Sequence, residues 1–177
     1  VSRGLGDVYK RQAQRGHVIS LFEESNEIGG QLNFAKMIPG KEEFHGLLNY
    51  YKNEIKRLKI DLITDHKVKT TDLINFDEII ISTGVVPRKI DIEGQDKVNF
   101  VYDYQEVFND RVKLGNRIAI IGAGGIGFDV AEYISSSGIS PTLDINKWME
   151  KWGVTDPAIE RGGVIQKNEI RSEDSSK

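Results

Sequence analysis

The chain has 177 residues, a formal net charge of -3, 38% hydrophobic residues and no cysteine. Its length suits one ordinary domain or two small ones, its charge offers no electrostatic case for nucleic acid, and no apolar run reaches membrane-span length. The lack of cysteine excludes disulfides, thiolate metal sites and thiol catalysis within these residues.

The opening VSRGLGDVYKRQ has no apolar signal-peptide core, so the expectation is a cytoplasmic protein with no membrane partner. Residues 1–12 also lack methionine, hydrophobic periodicity and a helix cap. Asp7-Val8-Tyr9-Lys10-Arg11-Gln12 resembles the translation of a transposon adapter end common in sequencing libraries. The segment 1–12 is therefore read as an artefactual leader and set aside from the fold; the other reading is a genuine basic N-terminal arm. On the first reading the natural protein begins upstream of Ala13.

Ala13 to Gly16 reads as a helix end closed by glycine. His17 to Phe22 is a short buried strand ending at Glu23, followed by the loop Glu24-Ser25-Asn26 and by Ile28-Gly29-Gly30-Gln31. Pro39-Gly40 marks a loop. From Lys41 to Leu58, apolar residues at Phe44, Leu47, Leu48, Tyr51, Ile55 and Leu58 recur at about 3.6 residues and predict an amphipathic helix. Short strands are expected at Ile60–Thr64, around Val68, and at Phe76–Ser82 leading into Thr83-Gly84. Tyr102–Phe108 reads as a short helix before the linker Lys113-Leu114-Gly115.

Asn116 to Ser135, NRIAIIGAGGIGFDVAEYIS, is the most informative stretch. The run Ile118–Ile121 predicts a strand, Gly122-Ala-Gly124-Gly125-Ile-Gly127 a tight turn, and Val130, Ala131 and Ile134 one face of a helix. This is the opening of a dinucleotide-binding βαβ unit: Gly122 permits the turn, Gly124 admits a pyrophosphate, and Gly127 allows close helix–strand packing. The amides and dipole of the new helix favour the anion. A bare GxGxxG is weak evidence; between an apolar run and an amphipathic helix it is much stronger. The alternative is a glycine turn in an α/β fold that binds nothing.

Beyond Ser137 the pattern weakens. Gly138–Pro141 is a loop, Asn146–Trp152 a helical turn or two, and Gly162-Gly163 a break. The polar tail Gln166–Lys177 is expected to be disordered or truncated.

A dinucleotide-binding βαβ places an acid at the end of its second strand, roughly 20 residues past its glycines, to accept hydrogen bonds from ribose hydroxyls. Glu23 stands at such a strand end. A strand-end glutamate is also an ordinary solvated residue, and Glu24 is its rival. Gly29-Gly30 would let the backbone pass close to a bulky cofactor. Ser82-Thr83-Gly84 brings small residues to the carboxyl end of a strand, where open α/β sheets bind ligands. His17, His45 and His66 are too scattered to argue for a metal site, and Tyr102, Tyr104, Trp148 and Trp152 are read as core rather than as a stacking set.

The segments AQRGHVISLFEESNEIGGQ, MIPGKEEF, FDEIIISTGVVPR and IAIIGAGGIGFDVAEYIS, in that order, resemble the bacterial type of 2,4-dienoyl-CoA reductase, related to old yellow enzyme and trimethylamine dehydrogenase. The resemblance spans nearly all of residues 13–165, and PGKEEF and GGIGFDVA are its most specific pieces. It implies an incomplete two-dinucleotide-binding, Rossmann-like α/β flavoprotein fragment: 13–112 a partial FAD-binding domain and 113–165 the start of an NAD(P)H-binding domain. In the parent protein an upstream barrel, the partner of this region, would hold FMN and substrate beside a [4Fe–4S] cluster. Hydride would pass from NADPH to FAD, and electrons onward through the cluster to FMN and the unsaturated acyl-CoA.

The resemblance places Glu23 on the FAD ribose, Gln31 and Lys41 near that cofactor, and the Val68 backbone at the adenine. Gly29, Gly30, Thr83 and Gly84 would line the same site. Gly122, Gly124, Gly125 and Gly127 would cradle the NADPH pyrophosphate. Lys41 opens a helix and is also readable as solvated, Val68 as core, Gln31 as a loop amide. The family often has alanine where Ser82 stands. No catalytic or metal-binding residue is assigned to these residues, and the strand that would distinguish NADPH from NADH is not identifiable. A disulfide reductase is disfavoured, because its flavin-side cysteine pair is missing. A glutamate synthase small-subunit relative and a non-catalytic nucleotide-binding module remain as alternatives. The 177-residue chain is expected to be inactive alone.

Overall fold

The computed structural model describes residues 4–88, 90–98, 100–109 and 112–164. The chain divides into two compact units, Val1–Tyr133 and Ile134–Lys177.

The first unit is built on a parallel pair, β1 (Ser20–Phe22) and β2 (Asp61–Ile63), with Ser20 opposite Asp61 and Phe22 opposite Ile63. The ladder continues one residue each way, Asp61 N–H donating to Ile19 C=O and Glu23 N–H to Ile63 C=O. Parallel strands need a long crossover, and here it contains helix α3 (Glu43–Arg57). The expected helix is thus present, with Leu48 and Ile55 buried and Phe44, Leu47, Tyr51 and Leu58 half-buried. Glu43 in its first turn and Lys56 and Arg57 in its last complement the helix dipole. Ile28, Ile55 and Ile60 join Tyr9 in a core against which Ile19, Leu21, Tyr51 and Leu58 pack.

Tyr9 belongs to helix α1 (Gly4–Gln14), which packs on α3. The leader set aside from the fold therefore takes part in it. The reason is continuity: the helix ending at Ala13–Gly16 extends backwards through these residues, and Tyr9 and Ala13 pack into the core beside Ile55. Gly16, with φ +93°, closes it as expected. The fit is incomplete. Tyr9 is 4% exposed, and its hydroxyl and the Gln12 amide oxygen are buried without hydrogen-bond partners among the described residues.

Helix α2 (Leu32–Ala35) is one turn inside the loop after β1, and α4 (Tyr104–Phe108) is the expected short helix. Asp103 caps α4, accepting the Glu106 N–H, while Glu106 accepts the Asp103 N–H. Helix α5 (Gly125–Ser135) is the helix expected after the glycine turn.

Three expected strands do not form: Val68, Phe76–Ser82 and Ile118–Ile121 lie outside any ladder among the described residues. Ile81 is 81% exposed and Ile121 65%. An isoleucine run favours an extended backbone, but a strand also needs an edge that takes its N–H and C=O groups. The glycine turn and most of α5 belong to the first compact unit.

In the second unit, α6 (Ile145–Trp152) is capped by Asp144, whose carboxylate accepts the Asn146 and Lys147 N–H groups at 3.0 and 3.3 Å. Gly153, with φ +63°, ends it, and Val154 and Val164 form an antiparallel bridge. Trp148 and Trp152 sit one turn apart with ring centroids 6.5 Å apart, and Trp152 is exposed rather than core. The expected tail Gln166–Lys177 lies outside the described residues. Among the described residues no helix is long and apolar enough to cross a membrane.

Candidate dinucleotide site

Glu23 follows β1 directly and is fixed from three sides. Its N–H donates to Ile63, its C=O accepts the His66 N–H at 3.1 Å, and its carboxylate Oε1 accepts the Ser25 N–H at 2.9 Å. The second carboxylate oxygen has no hydrogen-bond partner among the described residues, and Glu23 is half-buried. A carboxylate held at the carboxyl end of a parallel strand with an acceptor to spare suits a ribose diol. Glu24, the rival, is exposed and pairs with Lys67 at 3.1 Å.

Beside Glu23 lies His66, whose N–H donates to the Glu23 C=O and whose side chain no local sequence signal marks. The His66 ring packs against Phe22 with centroids 5.6 Å apart, and its Nε2 lies 2.9 Å from Asp72 Oδ2. The same oxygen accepts the Lys69 N–H at 2.7 Å. That backbone hydrogen bond, with His66 second, holds the Asp72 carboxyl below the usual carboxylate range. The segment carrying Val68 is thereby tied down at both sides of the residue. Val68 itself is exposed, so the core alternative fails.

Gly29 is buried and has φ +132°. A Cβ there would stand 2.6 Å from Asn33 Nδ2 and 2.9 Å from Leu48 Cδ2. Glycine is required at this point by its own neighbours. Gly30 is exposed. Gln31 is half-buried and exchanges hydrogen bonds with the Tyr104 hydroxyl: Nε2 donates to it at 2.9 Å, and the hydroxyl donates to Oε1 at 3.1 Å. Lys41 directs its ammonium to Asp129 Oδ1 at 2.5 Å. Two expected cofactor residues thus have protein partners, Tyr104 and Asp129, that the sequence reading did not assign. Thr83 and Gly84 are exposed and outside any strand.

The glycine motif makes its turn. Gly122 has φ +115°, and a Cβ on Gly127 would lie 2.1 Å from Gly122 O. The third glycine therefore permits close approach to the turn itself. The first helical hydrogen bond here runs from Phe128 N–H to Gly124 C=O, so the amides of Gly125, Ile126 and Gly127 precede it, as anion-binding helix starts require. Gly122, Gly124 and Gly125 are exposed. No cluster of metal-ligating side chains is present among the described residues.

A parallel βαβ unit with an acid closing its first strand, together with a glycine turn opening a second helix, defines a dinucleotide-binding α/β protein. The chain belongs to the pyridine nucleotide-disulphide oxidoreductase family, whose model matches residues 7–159. This is a family of oxidoreductases with a Rossmann-like α/β fold that binds FAD and NAD(P)H. The match begins inside the segment read as a leader.

The chain is 34% identical over 129 residues to the bilirubin reductase of Mediterraneibacter gnavus, covering 70% of this chain and 20% of that protein. It is 29% identical over 133 residues to the cinnamate reductase of Clostridium sporogenes, covering 74% and 20%. Among solved structures it is similar to a 2-naphthoyl-CoA reductase in complex with 2-naphthoyl-CoA, with a TM-score of 0.67 at 25% identity over 80% of this chain and 24% of that one. The chain spans about a fifth of the length of the curated relatives it matches.

Proposed function

We propose that this chain is the electron-entry part of an NADPH-dependent oxidoreductase acting on a carbon–carbon double bond, similar to 2,4-dienoyl-CoA reductase. FAD would take hydride from NADPH, and the electrons would leave for an iron–sulfur cluster and FMN in an upstream barrel of the same protein. The observation that carries the reading is that one compact unit holds both a strand-end acid and a separate glycine turn. The likeness to a reductase of a CoA thioester supports the substrate class. The relatives named for bilirubin and cinnamate support double-bond reduction more broadly.

In this reading Glu23 accepts the FAD ribose hydroxyls through its unshared carboxylate oxygen. The turn at Gly29-Gly30 brings backbone close to the flavin side, with Gln31 and Lys41 next to it, while the Val68 backbone meets the adenine and Thr83-Gly84 completes the wall. The amides at Gly124 to Gly127 hold the nicotinamide dinucleotide's pyrophosphate. The protein works in the cytoplasm.

A likeness to the NADH oxidase of Thermoanaerobacter brockii, 28% over 136 residues, supports a second reading with NADH as donor. The discriminating experiment uses the full-length protein: flavin content, then anaerobic reduction by NADPH and by NADH, then turnover with 2,4-dienoyl-CoA, enoyl-CoA and free cinnamate. We expect stoichiometric FAD, faster reduction by NADPH, and turnover of the dienoyl thioester. A protein without FAD, or one that no nicotinamide reduces, sinks the proposal. The isolated chain is expected to retain no FAD, because its apolar runs at Ile79–Ile81 and Ile118–Ile121 are unpaired in any ladder among the described residues.

A further inference from the structure

One face of α5 carries two side chains a helical turn apart, Asp129 and Tyr133. Tyr133 packs its ring on Phe108 with centroids 4.9 Å apart. Asp129 receives the ammonium of Lys41, a residue 88 positions away. Lys41 ends the loop that starts at Gly29. The other end of that loop is also pinned: Gln31 is hydrogen-bonded to Tyr104, and Phe34 packs on Tyr104 and Phe108 at 6.0 and 6.1 Å. The loop expected beside the flavin is thereby fastened to α4 and to the helix that opens at the pyrophosphate turn.

The Lys41 and Asp129 side chains are 37% and 26% exposed, so both charges are partly withdrawn from water. Such a pair is screened less than one on an open surface, and removing either partner leaves the other partly desolvated. The charges also have a sense relative to an anionic ligand. Asp129 sits on the second turn of a helix whose first-turn amides would hold a pyrophosphate. Uncompensated, its carboxylate would repel that anion; Lys41 neutralises it.

We propose that Asp129 is a positioning residue for electron entry: through Lys41 it fixes the flavin-side loop against the nicotinamide-dinucleotide turn. This rests on the dinucleotide reading above. Two consequences differ in kind. Without Asp129, the loop loses its tether but the turn keeps a favourable electrostatic surround. Without Lys41, the tether goes and a bare carboxylate faces the pyrophosphate site.

The test uses full-length FAD-loaded protein, with anaerobic stopped-flow reduction across a range of NADPH concentrations. For Asp129→Asn we expect flavin reduction about tenfold slower at saturation, as for a small misplacement or modest coupling loss, with no rise in the half-saturating NADPH concentration and unchanged flavin content. For Lys41→Met we expect the same slowing together with a rise of about tenfold in that concentration, steepest at low salt. The swap Lys41→Asp with Asp129→Lys should recover most of the rate that Lys41→Asp alone loses. Reduction of Asp129→Asn at the wild-type rate overturns the proposal, as does a swap no faster than Lys41→Asp. Loss of FAD from Asp129→Asn that Asp129→Glu does not restore also overturns it, assigning the residue to folding alone. If the wild-type protein takes no FAD or is not reduced, the functional reading fails; a reducible wild type with an indifferent Asp129→Asn rejects this inference alone.

Discussion

Ser20–Phe22 and Ile118–Ile121 are written in the same alphabet, and they end differently. Each is a short apolar run, and each leads into an element suited to a dinucleotide: Glu23 in one case, the turn at Gly122 in the other. The first pairs in parallel with Asp61–Ile63 and lies over a core of Ile28, Ile55 and Ile60. The second joins no ladder among the described residues and leaves Ile121 65% exposed. The difference lies in their neighbours. Helix α3 returns the chain alongside β1 and supplies β2 as a partner edge. Among the described residues Ile118–Ile121 meets no such edge, and neither does Ile79–Ile81. Apolar content makes a segment ready to pair; the hydrogen-bonding partner decides whether it does.

The contrast is open to experiment. The largest expected effect is in the core. Ile55→Ala should cost about 2–5 kcal/mol, the usual range for emptying a packed isoleucine site, whereas Ile80→Ala should stay within about 0.5 kcal/mol, as at exposed positions. Urea unfolding of the chain measures both, and a similar loss at Ile80 would mean that its run is paired in solution.

Two glycines give the next comparison. Gly29→Ala forces a Cβ into Asn33 and Leu48 at a left-handed φ and should destabilise the first unit by about 1–3 kcal/mol. Gly127→Ala meets Gly122 O instead. It should open the turn and weaken NADPH binding by roughly tenfold or more, since the anion loses its aligned amides, with a smaller effect on unfolding. Titration and thermal melts of the same two variants separate these outcomes; equal losses of stability would erase the distinction between the regions.

The smallest effect, opposite in sign, concerns the N-terminal helix. Tyr9 buries a hydroxyl without a partner among the described residues, so Tyr9→Phe should stabilise by about 1 kcal/mol. Burial, followed by Tyr51 and Glu54, raises the Tyr9 pKa above its ordinary 10.0. The folded state therefore keeps a proton that the unfolded state gives up. The associated stability is full below pH 10.0 and lost as the pH climbs beyond it. Melting between neutral and strongly alkaline pH should show this decline in the parent chain and a shallower one in Tyr9→Phe. An unstabilised variant would show that the hydroxyl is solvated.

Much of the site was legible because its signals are local. The spacing from Phe44 to Leu58 determined α3, the glycines of the Gly122 turn determined the start of α5, and Glu23 needed only the end of β1 to be located. His66, Tyr104 and Asp129 were illegible for the opposite reason. Each meets a side chain distant in the sequence, Phe22 against His66, Gln31 to Tyr104 across 73 positions and Lys41 to Asp129 across 88, and no periodicity reports such a meeting. Asp129 left one faint trace, an acid just inside a helix that should welcome an anion.

The sequence by itself determined the class of fold and singled out Gly29-Gly30 and the Gly122–Gly127 turn, the two segments proposed to bring backbone to a dinucleotide. Helix periodicity, helix caps and glycine turns are set by residues within a few positions of one another. Tertiary structure alone decided which apolar runs became strands, that residues 4–14 would fold onto α3, and that the glycine-turn helix would be fastened to the loop from Gly29 to Lys41. Those outcomes depend on which surfaces meet after the chain folds back, where backbone groups find partners and burial from water makes a single ion pair count.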